Sequence, residues 1–531
     1  MQRKLIRKEK NEMNRELKNQ RGITLLVLVI TIIIIIILAT ITMNLALGDG
    51  GLLGQAEDIR DIAENSTQTE AEKRNNLAGE LADMIPFEPQ ETPEPGSGGE
   101  EFEMRYGVIE IKWLQGTTNN VSNVPNAPKV KKISNGTMEL VKYVEGGTTE
   151  RERWVSGTDY DYVAGTGTGD NNQSRWANAR VTIDGIDSYF VWIPRYAYRI
   201  VYFKDEASKN EYKNGTITEE QAIERGKLVG YSDSRGIVTA EGRRVDSITS
   251  ESNTTHIMVS EDYFTPHPAF LDGSKTGYQN GEWDDELEGL WIGKYEASRS
   301  DATSSSGGSG TKLKVQPGVM SYSDIITIGN MYTYSQAYST ELESHMLKNS
   351  EWGAVAYLTE SAYGRNGTEI TQNTSSNNIT GAAKGSDGNA NTDYTSADGQ
   401  KASSTGNVYG IYDLSGGKNE YTTGYYNGPD ANTASMKIAE SFASIGGDST
   451  KFATTYDTSG NSTTSIGQNY KYGDATYETM NWHSDRAYFL NSTMLFFERG
   501  GAGSTKDELA GVFYTGSNYA HYLGFRLALP G

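Results

Sequence analysis

Cysteine is absent from this chain of 531 residues, and histidine occurs only five times. Without cysteine there are no disulfides, thiolate zinc sites, thiol nucleophiles or iron–sulfur clusters. The absence does not decide the compartment, because an exported domain with a large core needs no disulfides. The histidines form no H-E-x-x-H metal spacing, and there is no G-x-S-x-G nucleophile motif. The sequence therefore predicts no catalytic residue, no resident cofactor and a protein that is not an enzyme.

Positive charge is also scarce. The chain has 48 Lys and Arg against 69 Asp and Glu, which gives a formal net charge of −21. Nucleic-acid backbones and anionic lipid surfaces would be repelled by this balance, so neither is predicted as a main partner. The 59 glycines and 33 tyrosines are typical of a β-rich, loop-rich soluble domain with a large aromatic core.

One long apolar run stands near the N-terminus. Ile23 to Leu47 contains no charged residue, and its length is enough to cross roughly 30 Å of hydrocarbon. Residues 1–22 carry eight Lys or Arg against three Glu, and Asp49 follows the run. By the positive-inside rule, 1–22 is a basic cytoplasmic leader, 23–47 a transmembrane helix and the bulk of the chain extracellular. A buried core helix is the alternative.

The residues just before the apolar run form a distinctive pattern, in which Arg21-Gly22 is followed by ITLL. From residue 15 to residue 47 the chain resembles the cleavage and methylation segment of bacterial type IV pilins and pseudopilins. The resemblance implies that a prepilin peptidase cuts between Gly22 and Ile23 and that the new amine is methylated. Val27 replaces the glutamate that the family uses to pair with neighbouring pilin subunits, which affects filament assembly but not membrane insertion. An uncleaved single-pass anchor is the alternative.

Composition divides the chain after the apolar run. Apolar residues at helical spacing predict an amphipathic stalk helix over 48–85, and four prolines with three glycines predict a linker over 86–100. The remainder is predicted as a small β-rich region over 101–175 and a main domain over 176–531. Long polar stretches predict insertions into the main domain at 300–311 and 364–405.

Four segments of the main domain occur in an order known from one family. They are WIGKYEA from Trp291, MLKNSEWGAVA from Met346, GIYDLSG from Gly410, and RGG from Arg499 with GFRL from Gly524. Over roughly 180–531 the chain resembles formylglycine-generating-enzyme-like domains, which have a C-type-lectin-like fold. The fold class is therefore predicted as α+β: a long N-terminal membrane and stalk helix, then a β-rich, loop-rich domain of that type.

The departures from this family bear on function. Its active enzymes use cysteines that this chain lacks, so the resemblance implies a retained fold without the oxidative chemistry. After Ser415-Gly416 the family pattern N-V-W-E-W is replaced by Gly417-Lys418-Asn419-Glu420-Tyr421. The glutamate is kept and the asparagine is lost, which removes a ligand from the calcium site that the family often builds there.

Local patterns give further predictions for the main domain. Val108 to Trp113 and Tyr189 to Ile193 are predicted as strands, and 346–357 as a helix that buries Trp352, Val355 and Ala356. Alternation predicts strand residues at Tyr412, Leu414, Phe525, Leu527 and Leu529. Tight turns are predicted to need a positive φ at Gly410, Gly416, Gly417, Gly500, Gly501 and Gly524.

The 364–405 stretch contains a weak calcium-loop pattern. The oxygen-bearing residues at positions 1, 3, 5, 7 and 12 of that pattern are Asp387, Asn389, Asn391, Asp393 and Asp398. Thr392 stands where such loops need glycine for a sharp turn. Local turns in a low-complexity segment are the alternative.

The chain near the C-terminus is rich in tyrosine, serine and asparagine, the residues that binding loops favour. The candidate ligand-binding residues are Trp482, His483, Tyr514, Ser517, Asn518, Tyr519, His521 and Tyr522. C-type-lectin-like domains similar to this one display ligand-binding residues in this terminal stretch. Packing of the aromatic rings into the core is the alternative.

Three functional hypotheses follow. The first is a non-enzymatic, pilin-type surface protein of the bacterial cell membrane whose lectin-like domain binds an extracellular ligand or protein in adhesion or display. The second is a minor pseudopilin or tip subunit of a type IV pilus or type II secretion-like assembly. The third is an enzyme with metal-assisted or novel activity in the cleft of the formylglycine-generating-enzyme-like domain.

Overall fold

The chain divides into two compact units, Met1–Ser97 and Gly98–Gly531. The computed structural model describes parts of the second unit: 105–157, 175–233, 236–240, 264–273, 281, 283–322, 328–426, 451–456, 471–490, 495–501, 509–516 and 523–531. The predicted leader, processing site at Gly22 and Ile23, membrane helix, stalk and linker all lie outside these residues. Within them, no helix combines the length and apolarity needed to cross a bilayer.

Strands dominate the described residues, which confirms the β-rich character predicted from composition. Those of the first half are β1 Gly107–Leu114, β2 Val121–Ser122, β3 Gly136–Tyr143, β4 Trp154–Ser156, β5 Asn178–Ile183, β6 Ile186–Pro194, β7 Tyr196–Phe203, β8 Leu228–Asp233, β9 Gly236–Thr239, β10 Thr265–Pro266 and β11 Gly289–Gly293. Those of the second half are β12 Ser298–Arg299, β13 Leu313–Lys314, β14 His345–Met346, β15 Ala383–Lys384, β16 Ala390–Asn391, β17 Glu420–Tyr426, β18 Thr454–Tyr456, β19 Phe496–Gly501, β20 Ala510–Gly516, β21 Gly524–Phe525 and β22 Leu527–Pro530.

The α-helices of the described residues are few and mostly short. They are α1 Glu150–Arg153, α2 Glu206–Lys213, α3 Glu219–Glu224, α4 Ile328–Tyr338, α5 Asn349–Glu360 and α6 Ala397–Gln400. Single 3₁₀ turns occur at Pro268–Phe270 and Trp482–Ser484.

Three sheets form the framework of the second unit. Their strand orders are β2-β1-β7-β8-β9 with β10 on β7, then β14-β22-β11-β6-β5-β3-β4, and β18-β17-β19-β20 with β21 on β17. The chain passes from the second sheet to the first between β6 and β7 with only Arg195 between them. Every residue from Ser188 to Phe203 is buried, which is why this stretch reads as a nearly continuous apolar run.

The predicted boundary between 101–175 and 176–531 does not separate two units. β1 pairs with β7, and β3 pairs with β5, so strands from before residue 175 complete sheets built after it. The described residues on both sides of this boundary belong to the compact unit Gly98–Gly531.

The predicted helix over 346–357 is present as α5 but begins and ends three residues later. Its start is displaced because His345 and Met346 pair with β22 as a strand. All twelve residues of α5 are buried, including the three predicted to face inward. A Cβ on Gly353 would lie 1.9 Å from the carbonyl oxygen of Gly473, so this helix packs directly against a loop backbone.

Other local predictions were partly wrong. Tyr412 and Leu414 lie in a loop rather than a strand, because Asp413 between them takes a φ of 62°. Positive φ is present at four of the six predicted glycines, namely Gly416, Gly417, Gly500 and Gly501. Gly410 and Gly524 do not need it. At Gly410 the reason for glycine is close packing, since a Cβ would lie 2.7 Å from the amide nitrogen of Thr405.

The segment 364–405 is more than a surface insertion. It places Ile379, Ala382, Ala383 and Tyr394 in the interior of the unit. Its polar composition reflects many tight turns, whose backbone hydrogen bonds are made by Asn, Asp and Ser side chains.

Candidate functional site

Three of the four segments that carry the family resemblance contribute to one buried network. Both carboxylate oxygens of Glu420 accept hydrogen bonds from the Arg526 guanidinium, whose Nη1 also donates to the carbonyl of Gly293 at 2.8 Å. The backbone N–H of Lys418 donates to Glu296 at 2.9 Å. The network therefore joins β11 and β17 to Arg526, between β21 and β22, through side chains with no more than 1% exposure.

Asp413 ties the 364–405 segment to this network. Its Oδ1 accepts hydrogen bonds from the Asn373 side chain at 2.9 Å and from the Gly381 N–H at 2.8 Å. Burial raises the pKa of Asp413 and of Glu296, and raises the pKa of Glu420 to about 7 even with Arg526 beside it. A closed arrangement of this kind supports the fold and offers no approach to a substrate.

Lys294 is buried, and its side chain is surrounded by hydrogen-bond acceptors. Its Nζ donates to Asn178 Oδ1 at 2.9 Å and to the carbonyls of Val408 and Gly410 at 2.6 and 2.9 Å. The Trp154 ring lies 4.7 Å from the same nitrogen. All three ammonium donors are therefore satisfied, so this lysine is a structural residue rather than a nucleophile.

Glu478 is the centre of a second buried cluster, which the sequence did not reveal. Its carboxylate accepts hydrogen bonds from the hydroxyls of Tyr198, Tyr357 and Ser232 and from the N–H of Gly473. Because every one of these partners is uncharged, burial raises the pKa of Glu478 to about 7. The cluster links β7, β8 and α5.

The segment 481–488, named here the 481–488 turn, has an unusual backbone. Asn481, His483 and Ser484 take φ values of 65°, 53° and 66°, in the left-handed region that side chains other than glycine rarely adopt. Trp482 between them is buried with 2% exposure and packs edge-on against Phe513. The buried tryptophan thus anchors a strained turn in which Asn481 and Ser484 are exposed.

Side-chain contacts hold the first part of this turn. His483 Nε2 lies 2.9 Å from Glu360 Oε2 at the end of α5, and its ring stacks on Phe513 at 5.9 Å. Burial acts to lower the pKa of His483, but the Glu360 carboxylate outweighs it and raises that pKa to about 9. Asp485 accepts a hydrogen bond from the N–H of Phe513 at 3.0 Å, and burial raises its pKa to about 8.

The second part of the turn runs beside β20. The hydroxyl of buried Thr515 accepts from the N–H of Tyr488 at 2.6 Å and donates to its carbonyl at 2.7 Å. The Arg486 guanidinium lies 4.3 Å from the Tyr488 ring centre and 5.4 Å from that of Tyr514. Its Nη2 donates to the Tyr514 hydroxyl at 2.9 Å. Arg486 and Tyr488 are half-buried, so this cation–aromatic stack reaches the surface.

Three of the eight predicted ligand-binding residues lie among the residues that the structure describes. Trp482 and Tyr514 are buried, with 2% and 3% exposure, so the packing alternative describes both rings. His483 is partly exposed in the turn, and its ring is paired with Glu360. The other candidates lie outside the described residues: Ser517, Asn518, Tyr519, His521 and Tyr522.

The calcium-loop pattern forms local turns in the structure. Asp387, Asn391 and Asp393 each accept a hydrogen bond from the backbone N–H two residues further along the chain. Asp398 pairs with Lys401 at 2.8 Å. Among the described residues, no three His, Asp or Glu side chains are grouped so that they could hold a metal ion. The pattern therefore reflects Asx turns at these positions.

Comparison with known protein families and with curated proteins found no match for this chain. The two resemblances therefore rest on the residue patterns given above. Sequence reasoning missed Glu478, Arg486 and Tyr488. For Arg486 and Tyr488 the signal was the run WHSDRAYF from Trp482, in which aromatic residues flank a stretch of polar and charged ones.

Proposed function

We propose that this chain is a non-enzymatic, pilin-type membrane-anchored protein of the bacterial cell surface. In this proposal its C-terminal unit has a C-type-lectin-like fold and binds an extracellular ligand in adhesion or display. The anchor is supported by the charge and length of residues 1–47 and by the Gly22-Ile23 pattern. The fold is supported by the meeting of three of the four resemblance segments in one buried network.

One observation supports binding above all: the 481–488 turn is strained yet firmly held. Left-handed conformations at residues other than glycine cost on the order of 1 kcal/mol each and persist where the surroundings impose them, often at ligand sites. Trp482 and Thr515 fix this turn to the interior, while Asn481 and Ser484 are exposed. Such a turn presents polar and aromatic groups in one conformation, which lowers the entropy cost of binding.

The proposal is tested with purified full-length protein in detergent, applied to arrayed cell-surface saccharides and proteins. Tyr488→Ala should abolish binding to the ligand that the unchanged protein selects, because it removes the exposed aromatic surface of the turn. Tyr334→Ala is the matched control, since Tyr334 is a half-buried tyrosine on α4. Equal binding by both variants, with thermal unfolding unchanged, would show that the 481–488 turn is not the binding face.

A further inference from the structure

Arg486 lacks the acidic partner that several other arginines of the unit have. Arg180, Arg199 and Arg526 each pair with a glutamate. No Asp or Glu among the described residues lies within ion-pair distance of Arg486, although the chain has an excess of acidic residues. A half-buried guanidinium left without a counter-charge in an acidic protein is poised to accept an anion from outside.

The donors of Arg486 show how an anion would approach it. A guanidinium has five N–H donors. One is used by the Tyr514 hydroxyl, and the Nε–H is covered by the protein and has no hydrogen-bond partner among the described residues. The two N–H groups of Nη1 and the second N–H of Nη2 remain. They form the end of the guanidinium, whose spacing matches the two oxygens of a carboxylate.

The position of Arg486 is already fixed before any ligand arrives. Its guanidinium lies over the rings of Tyr488 and Tyr514, and the hydrogen bond to the Tyr514 hydroxyl restrains it further. A free arginine side chain would lose considerable rotamer entropy when it binds an anion. Here that entropy has been lost during folding, so the end of the guanidinium is preorganised for a planar, two-oxygen group.

The same turn carries groups suited to hydroxyl-rich ligands. Asn481 and Ser484 are exposed, and the Asn481 side chain does not cap the 3₁₀ turn that follows it. Amide and hydroxyl side chains donate to and accept from sugar hydroxyls, while the half-buried Tyr488 offers apolar ring surface. These neighbours favour an acidic saccharide over an acidic peptide as the source of the carboxylate.

We propose that Arg486, held by contacts with Tyr488 and Tyr514, binds the carboxylate of an acidic saccharide end-on through Nη1 and Nη2. The inference rests on the proposed function, because it names the ligand class of the same turn. Tyr514 is a positioning residue in this account: its buried hydroxyl orients the guanidinium and does not touch the ligand.

The test uses purified full-length protein in detergent and equilibrium binding of uronate- or sialate-bearing oligosaccharides. The same oligosaccharides as neutral methyl esters, a poly-glutamate peptide and free acetate complete the set of probes. The unchanged protein should bind the acidic oligosaccharides and not their esters. Arg486→Gln should weaken binding on the order of tenfold or more, as expected for losing a charge-assisted pair of hydrogen bonds. Arg486→Lys should also weaken binding, because lysine keeps the positive charge but cannot form the bidentate pair of hydrogen bonds.

Arg225→Gln is the matched control, since it removes the same charge from an exposed arginine after α3 and should leave affinity unchanged. Equal affinity for acid and ester, unchanged affinity in both Arg486 variants, or binding of poly-glutamate or acetate alone would each overturn the inference. So would the absence of any saccharide binding. A neutral ligand lost in Tyr488→Ala but kept in Arg486→Gln would overturn the inference while the proposed function stands.

Discussion

Gly511 shows at a single residue how closely the 481–488 turn is fitted to the sheet beneath it. A Cβ at this position would lie 2.0 Å from both carboxylate oxygens of Asp485. Asp485 is held there by the N–H of Phe513, with which its Oδ2 forms a hydrogen bond. The glycine is therefore required by close approach of a side chain, and its φ is not positive.

Gly511→Ala should lower the free energy of unfolding by about 1–3 kcal/mol, because the added methyl group displaces Asp485 and the turn above it. Thermal or denaturant unfolding measures the loss. In the double variant with Asp485→Ala the obstacle is gone, so the two changes should cost less together than the sum of their separate effects. Strictly additive costs would show that Gly511 and Asp485 do not meet as described.

At the scale of elements, the Glu420–Arg526 pair joins β17 to the chain between β21 and β22 inside the core. Arg526→Met leaves the Glu420 carboxylate buried without its cation, and we expect a loss of about 3–5 kcal/mol in unfolding free energy. The double variant with Glu420→Gln removes the unpaired buried carboxylate and should recover part of the lost unfolding free energy. Urea titration of the three variants measures both effects, and a double variant no more stable than Arg526→Met would contradict the pairing.

Elements with a strong local signal were predictable, and those set by distant partners were not. The run from Tyr189 to Ile193 and the helix around Trp352 could be found because their apolar residues follow a clear local pattern. Tyr412 and Leu414 alternate like a strand, but Asp413 turns the backbone so that its carboxylate can meet Gly381 and Asn373. That choice is made by residues about thirty to forty positions away, which no short window contains.

The candidate site also depends on partners that are distant in the sequence. The tyrosine-rich composition predicted ligand-binding residues in the C-terminal stretch, but Tyr514 is buried. The exposed stack depends on Arg486 meeting Tyr514 across the contact between Ala487 and Thr515. No local sequence pattern predicts this pairing, because it forms only when the 481–488 turn packs beside β20.

At the scale of the whole molecule, several buried groups should make stability depend on pH in the same direction. The folded-state pKa is raised to about 7 for Glu478 and Glu420, to about 8 for Asp485 and to about 9 for His483. The folded protein therefore holds more protons than the unfolded chain between the usual pKa of each group and its raised value. The stabilisation is complete below the usual values and is lost as the pH rises through the raised ones.

These four groups should therefore lower the melting temperature as the pH rises from about 5 to 9, against the opposite contribution of His267 and Lys294, whose pKa values burial lowers. Glu478→Gln cannot ionise, so its melting curve should lose part of this dependence between the usual carboxyl pKa of 4.5 and about 7. Scanning calorimetry across this range makes the comparison, with Glu224→Gln on the exposed side of α3 as the control. A Glu478→Gln profile parallel to that of the unchanged protein would contradict the account of this cluster.

The claim that this molecule is a pilin-type surface protein is tested most directly by mass spectrometry of its mature N-terminus. The protein should be purified from a bacterium that has a prepilin peptidase. The account predicts a chain that begins at Ile23 and carries one added methyl group on the new amine. An N-terminus at Met1, with residues 1–22 still attached, would contradict it.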